Sequence, residues 1–234
     1  MKTKINIKEI KTFLREIKTS LLEIISGAVH KDRFWIRLVI VVTAVILMGF
    51  SLSWLLLADL GPDPYTMLNS AVAQKIGISL GSWQALLNCI LLAGVLIFGG
   101  RNIGFGTRAN LVLVGYSIDF FSWVWQRLFP LEIFQQISVR LLIMIPALAL
   151  FILSAAVYMD IDMGSSPYDA IPFIIFTHFK KLPFRLLRIL YDCLFILAAL
   201  LFGGKLGVVT VLMALTLGPV IEWVGKIINK IFEK

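Results

Sequence analysis

The chain has 234 residues, of which 59% are hydrophobic and only 15% charged, and its mean hydropathy is +0.91. A water-soluble core of this size cannot hide that much apolar surface, so the composition excludes a soluble enzyme and reads as an all-α polytopic membrane protein. The formal charge of +8 sits largely in the tails, with eight Lys/Arg against four acids in residues 1–33 and three Lys against one acid in residues 226–234. That placement fits anionic lipid at a cytoplasmic surface for both termini, and no nucleic acid.

In chain order, the first element is a basic amphipathic helix within residues 1–33. Ile10, Phe13, Leu14, Ile17, Leu21, Ile24 and Ile25 recur at helical spacing, with Lys8, Lys11, Arg15 and Lys18 between them. Charges interrupt its apolar positions and no small-residue cleavage site follows, so it is not read as a signal peptide. Residues 34–234 form a single membrane domain. Six runs reach spanning length, about 34–58, 82–99, 108–126, 139–159, 183–203 and 207–225. Trp35, Trp54, Trp83, Trp123, Trp125 and Trp223 fall near their ends, where aromatic rings prefer the headgroup region. Two shorter segments, 64–77 and 167–179, begin as helices should. Asp63 or Ser166 caps, Pro64 or Pro167 takes the first helical position, and Ser166-x-x-Asp169 forms a capping box. Both are too short to cross and are read as re-entrant or interfacial half-helices. Cys89 and Cys193 lie inside apolar runs and are expected to be small hydrophobic fillers, not a disulfide or metal pair.

The chain also repeats itself at an offset of 103 residues. Arg37-Leu38 matches Arg140-Leu141, Thr107 matches Thr210, Gly115 matches Gly218, and a one-residue slip pairs Cys89 with Cys193. Repeat one covers 37–126 and repeat two 140–229. The loops that correspond carry unequal positive charge: Lys180, Lys181, Arg185 and Arg188 in one copy stand where the other has only Lys75. Under the positive-inside rule that inequality favours three spans per copy and an inverted arrangement. If the half-helices crossed, the copies would run parallel.

The turns Gly61-Pro62-Asp63-Pro64-Tyr65-Thr66 and Gly164-Ser165-Ser166-Pro167-Tyr168-Asp169, with Gly104-Phe105-Gly106-Thr107 and Asn110, resemble the YitT/YczE/YyaS group of bacterial integral membrane proteins. The resemblance covers nearly everything from about residue 34 onward. It implies a multi-pass protein of the bacterial plasma membrane with an architecture like that of small transporters, and some members of the group are tied to regulation of secondary-metabolite production. The first copy departs from the commoner Ser-Pro-Tyr-Asp form by placing its carboxylate at the cap.

A helix broken at its start exposes unpaired N–H groups and the positive end of its dipole. Here Asp63 and Asp169, with Asp59, Asp160 and Asp162 nearby, place carboxylates at those ends, so the entrance suits a cation, a proton or an amine. The alternative is that these acids are ordinary caps and turns, and that Tyr65 and Tyr168 are belt aromatics. Asp192 falls mid-span and matches Asn88 in the other copy, which makes the two candidates for a shared site with Asp192 exchanging a proton. Asp119 and Glu222 are the other deep acids, each close enough to Trp residues to reach the headgroups instead. The candidate substrate or ion site is therefore Asp59, Asp63, Pro64, Tyr65, Asn88, Asp119, Asp162, Ser166, Pro167, Tyr168, Asp169, Asp192 and Glu222. With His30 and His178 the only histidines and no Ser/His/Asp or metal-ligand spacing, neither an enzyme nor a cofactor is expected. Two functions remain. One is a small secondary transporter or flippase of a small molecule or cation, with proton coupling as one version. The other is a membrane-embedded regulator or scaffold for a protein partner. A span set this small also leaves room for a homodimer.

Overall fold

The computed structural model describes residues 34–98, 103–178 and 183–232. The amphipathic segment expected within residues 1–33 lies outside them. Among the described residues the chain is helical throughout: α1 (Phe34–Ala58), α2 (Pro64–Ile76), α3 (Leu80–Ile97), α4 (Phe105–Leu128), a 3-10 turn (Leu131–Gln135), α5 (Ile137–Asp160), α6 (Pro167–His178), α7 (Phe184–Leu201) and α8 (Val208–Phe232).

At a rise of about 1.5 Å per residue, α1, α5 and α8 are longer than the roughly 30 Å hydrocarbon core, whereas α2 and α6 cover about 20 Å or less. Four helices are both long and apolar enough to cross a membrane: α1, α3, α5 and residues 208–227 of α8. The other two expected spans, α4 and α7, are helical but more polar. Asn110, Tyr116, Ser117 and Asp119 dilute α4, and Arg185, Arg188 and Asp192 dilute α7. Trp35, Leu142, Ile145, Leu201 and Val208 point outward, as lipid-facing side chains do. The chain is a membrane protein.

Each half-helix starts where local chemistry dictates. Asp63 Oδ2 accepts from the Thr66 N–H at 3.1 Å, and Pro64 follows at the first helical position. Gly77, left-handed at φ 75°, ends α2 by donating to the Ala73 carbonyl. At α6, Ser166 Oγ accepts from the Asp169 N–H at 3.1 Å. The Asp169 carboxylate closes this cap onto the Ser166 hydroxyl, at 2.5 Å, in place of the backbone bond of an ordinary capping box. Before each half-helix the chain reverses through left-handed residues, Asp59 (φ 50°) and Gly61 (φ 97°) in one case, Asp162 (φ 52°) and Gly164 (φ 104°) in the other. Aspartate tolerates that region better than most side chains, and glycine does so without strain.

These turns are tied to distant helix starts. The Gly106 N–H donates to the Met163 carbonyl at 2.7 Å and the Val209 N–H to the Leu60 carbonyl at 3.0 Å. Thr107 Oγ1 donates to the Ser165 carbonyl at 2.8 Å, and Thr210 Oγ1 to the Pro62 carbonyl at 2.6 Å. The turn before α6 is thus sewn to α4, and the turn before α2 to α8. The half-helices cross over in the same sense, α2 packing on α7 and α6 on α3.

The main core lies between α1, α4, α5 and α8, around Val45, Leu55, Ile118, Phe151 and Met213. A second cluster, with Leu68, Val72, Phe195 and Ala199, forms around the half-helices. Because Pro64–Asn69 and Ala71–Ala73 are all buried, α2 is an internal element and not a helix lying at the interface. Cys89 and Cys193 are unbridged as expected, but both are exposed, so they face outward instead of filling the core.

Candidate functional site

The half-helices bring Tyr65 and Tyr168 together at the centre of the second cluster, with ring centroids 4.5 Å apart and planes inclined by 32°. Both side chains are buried, so they are interior residues and not belt aromatics. Tyr65 donates its hydroxyl to Asn88 Oδ1 at 2.7 Å, and Tyr168 donates to Asp192 Oδ1. Asn88 and Asp192, matched in the sequence, are therefore linked through a stacked tyrosine pair. They do not bond to each other. Pro64 and Pro167 start the half-helices that carry these rings.

Arg188 joins this pair to the second half-helix. Its Nη1 lies 2.7 Å from Asp169 Oδ1, its Nε lies 3.4 Å from the Asp192 carboxylate one helical turn on, and its guanidinium sits over the Tyr168 ring at 4.9 Å. Asp192 is only 3% exposed. Charges that deep in a low-dielectric environment need partners, and the two carboxylates share one arginine. Asp63, also buried, adds a third carboxylate nearby, with no basic partner among the described residues. Arg188 escaped the sequence reading because it sits in a run of loop-proximal positive charge. Its i,i+4 spacing to Asp192 was the available signal.

Beside the cluster lies a cavity of about 620 Å³, lined by Asp63, Gln84, Asn110, Tyr158, Asp169 and Arg188 among others. That volume is in the range of small-molecule sites. Tyr65, Thr66, Ser166 and Tyr168 also line it, and Asp160 and Lys226 stand on its wall. Gln84 and Tyr158 were missed in the sequence, since an isolated Gln or Tyr in a greasy run carries no spacing signal.

Several expected residues do not come to this place. Asp59 is exposed and pairs with Arg140 at 3.4 Å, a surface bridge to the start of α5. Asp162 is exposed and serves the left-handed turn, away from the cavity lining. Asp119 accepts from the Gly81 N–H at 2.8 Å. It holds the start of α3 to α4 at a point where Gly115 and Gly81 meet so closely that a Cβ on Gly115 would lie 2.8 Å from the Gly81 Cα. An acid at a helix N-terminus is favourable there for helix α3 itself, and that is a structural tie. The backbone of Glu222 belongs to α8, but its side chain is outside the described residues.

Residues 35–226 match a protein family described as a family of unknown function, DUF6198. The chain is similar to the "Uncharacterized protein YyaS" of Bacillus subtilis (strain 168), with 26% identity over 72% of this chain and 82% of that one. It is also similar to the "Uncharacterized membrane protein YczE" of the same organism, with 22% identity over 70% of this chain and 73% of that one. An uncharacterized protein of Haemophilus influenzae is 23% identical over 82% of this chain and 84% of its own length. These relatives agree with the resemblance carried by the two Pro-Tyr turns. No solved structure matches.

Proposed function

The chain belongs to the DUF6198 family, and from that premise we propose that it is a small secondary carrier of the bacterial plasma membrane. Its solute occupies the cavity beside the two half-helices. The observation that carries this reading is the buried cluster of Asp63, Asp169, Asp192 and Arg188 on or beside that cavity. Within that buried cluster three carboxylates stand against one guanidinium, a negative excess that is costly away from bulk water, while Asp160, Arg185 and Lys226 on the cavity wall are exposed. Protons or a cationic solute relieve it. Asp192, held between Tyr168 and Arg188, is the group proposed to take and release the proton.

The proposed frame is six crossings with two re-entrant half-helices, both termini cytoplasmic, and the two copies inverted about an axis near the Tyr65–Tyr168 stack. Support comes from the pairs of ties standing 103 residues apart: Thr107 to Ser165 and Thr210 to Pro62, Gly106 to Met163 and Val209 to Leu60. Each copy's turn is held by a helix of the other, so rocking one copy against the other would move both half-helices around the solute, as alternating access requires. No covalent chemistry is assigned to the chain.

The test is solute flux in proteoliposomes, with a metabolite panel and with or without an imposed pH gradient. Flux that responds to the gradient and is lost in Asp192→Asn, in protein that still elutes as a single folded species, is the expected result. A folded wild-type protein that moves no solute overturns the carrier and leaves the regulator or scaffold reading.

A further inference from the structure

Three residues that line the cavity each carry a buried side-chain atom with no hydrogen-bond partner among the described residues: Asp63 Oδ1, Gln84 Oε1 and the Tyr158 hydroxyl. Their residues are 7%, 1% and 1% exposed. Buried polar groups are ordinarily paired, and leaving one unpaired is costly. Three such atoms, on residues that line one cavity and come from the turn before α2, from α3 and from α5, select a ligand of a particular chemistry. An ionised Asp63 carboxylate and Gln84 Oε1 can only accept, and a phenol can accept too. Asp63 spends Oδ2 on the cap of α2, and its other oxygen has no partner among the described residues.

The cations that line the cavity do not answer them, for Arg185 and Lys226 are exposed and the three atoms have no hydrogen-bond partner among the described residues. Arg188 is engaged by Asp169 and Asp192, and no bond joins it to Asp63 among those described. Much of the remaining wall is apolar, including Leu52, Val114, Phe151 and Leu217.

Resting on the carrier reading of this cavity, we infer that its substrate class is a primary alkylammonium ion with an apolar body. Three N–H donors on one cationic nitrogen meet three acceptors, the charge offsets Asp63, and the hydrocarbon lies along the apolar wall. A neutral alcohol offers one donor and no charge. A carboxylate would bring like charge against Asp63.

The experiment titrates the purified full-length protein with n-hexylamine, 1-hexanol or hexanoate at neutral pH, by calorimetry in detergent. A simple alkylamine is fully charged there, as lysine is. Saturable hexylamine binding, about tenfold or more tighter than hexanol and with hexanoate silent, is expected. Asp63→Asn keeps a good N-cap, so it should leave the ligand-free melting temperature near wild type while weakening hexylamine about tenfold or more. Tyr158→Phe removes a single oxygen and should weaken the amine several-fold. It keeps the test open if Asp63→Asn fails to fold. Hexanol binding as tightly as hexylamine, unchanged affinity in both variants, or no saturable amine binding overturns the inference. Hexylamine binding without movement across proteoliposomes keeps this site and overturns the carrier. Gradient-driven flux of another solute with no hexylamine binding does the reverse.

Discussion

Arg188 is the residue on which the interior charge depends, because it alone offsets Asp169 and Asp192 among the described contacts. Arg188→Leu strands both carboxylates and should cost about 3–5 kcal/mol of stability. Asp192→Asn keeps an acceptor for Tyr168, as Asn88 does for Tyr65, and leaves Arg188 with Asp169, so its cost should be smaller. Combining Asp192→Asn with Arg188→Gln should cost less than the two single changes added, which a double-mutant cycle on denaturant unfolding in micelles reads directly. Strict additivity would mean the pair is not coupled. Asp192 was legible in the sequence because an acid in the middle of an apolar run is expensive unless something offsets it. Its partner was not legible. Arg188 stands near Lys180, Lys181 and Arg185, where charge pattern alone reads as a membrane-side cluster, and only the packing of α7 on α6 brings it to Asp169. The two tyrosines were ambiguous for a similar reason, since a ring near a helix start suits a headgroup belt as well as an interior stack.

The half-helices are the elements that make an interior site in so small a protein. Their starts could be read from Asp63-Pro64 and Ser166-Pro167, because caps and proline are local chemistry. What holds them could not, since Thr107 finds Ser165 and Thr210 finds Pro62 across 58 and 148 residues of chain. If the two ties are equivalent, Thr107→Val and Thr210→Val should lower stability by similar amounts, about 1–3 kcal/mol each, because each removes the hydroxyl that donates to a buried or part-buried carbonyl. Melting of both variants in one detergent checks this. A large loss for one and none for the other would argue that the halves are not equivalent. The polarity of α4 and α7 has its explanation at this scale too. Asn110 on α4 and Arg188 on α7 line the cavity while Asp192 lies in the buried cluster beside it, so these polar residues are turned from lipid, whereas Tyr116 and Arg185 are exposed.

For the whole molecule, the proposed inversion places the ends of α2 and of the α6 segment on opposite sides of the membrane. In a background without Cys89 and Cys193, which are free and exposed, Lys75→Cys and Lys180→Cys should react with an impermeant thiol reagent from opposite faces of intact cells or oriented vesicles. Reaction of both from one face would replace the inverted arrangement with a parallel one. The amino-acid sequence by itself determined the solvent, the helical class, the places where two short helices begin and the presence of an acid in the middle of α7. Those follow from composition, periodicity and capping, which act over a few residues. Tertiary structure alone decided that Asp59, Asp119 and Asp162 are surface or capping acids, and that Asp63, Gln84 and Tyr158 share one cavity wall. It also decided that α2 packs on α7 and α6 on α3. Burial and pairing are properties of neighbours brought together from distant parts of the chain, and no local pattern encodes which face of a helix meets which partner.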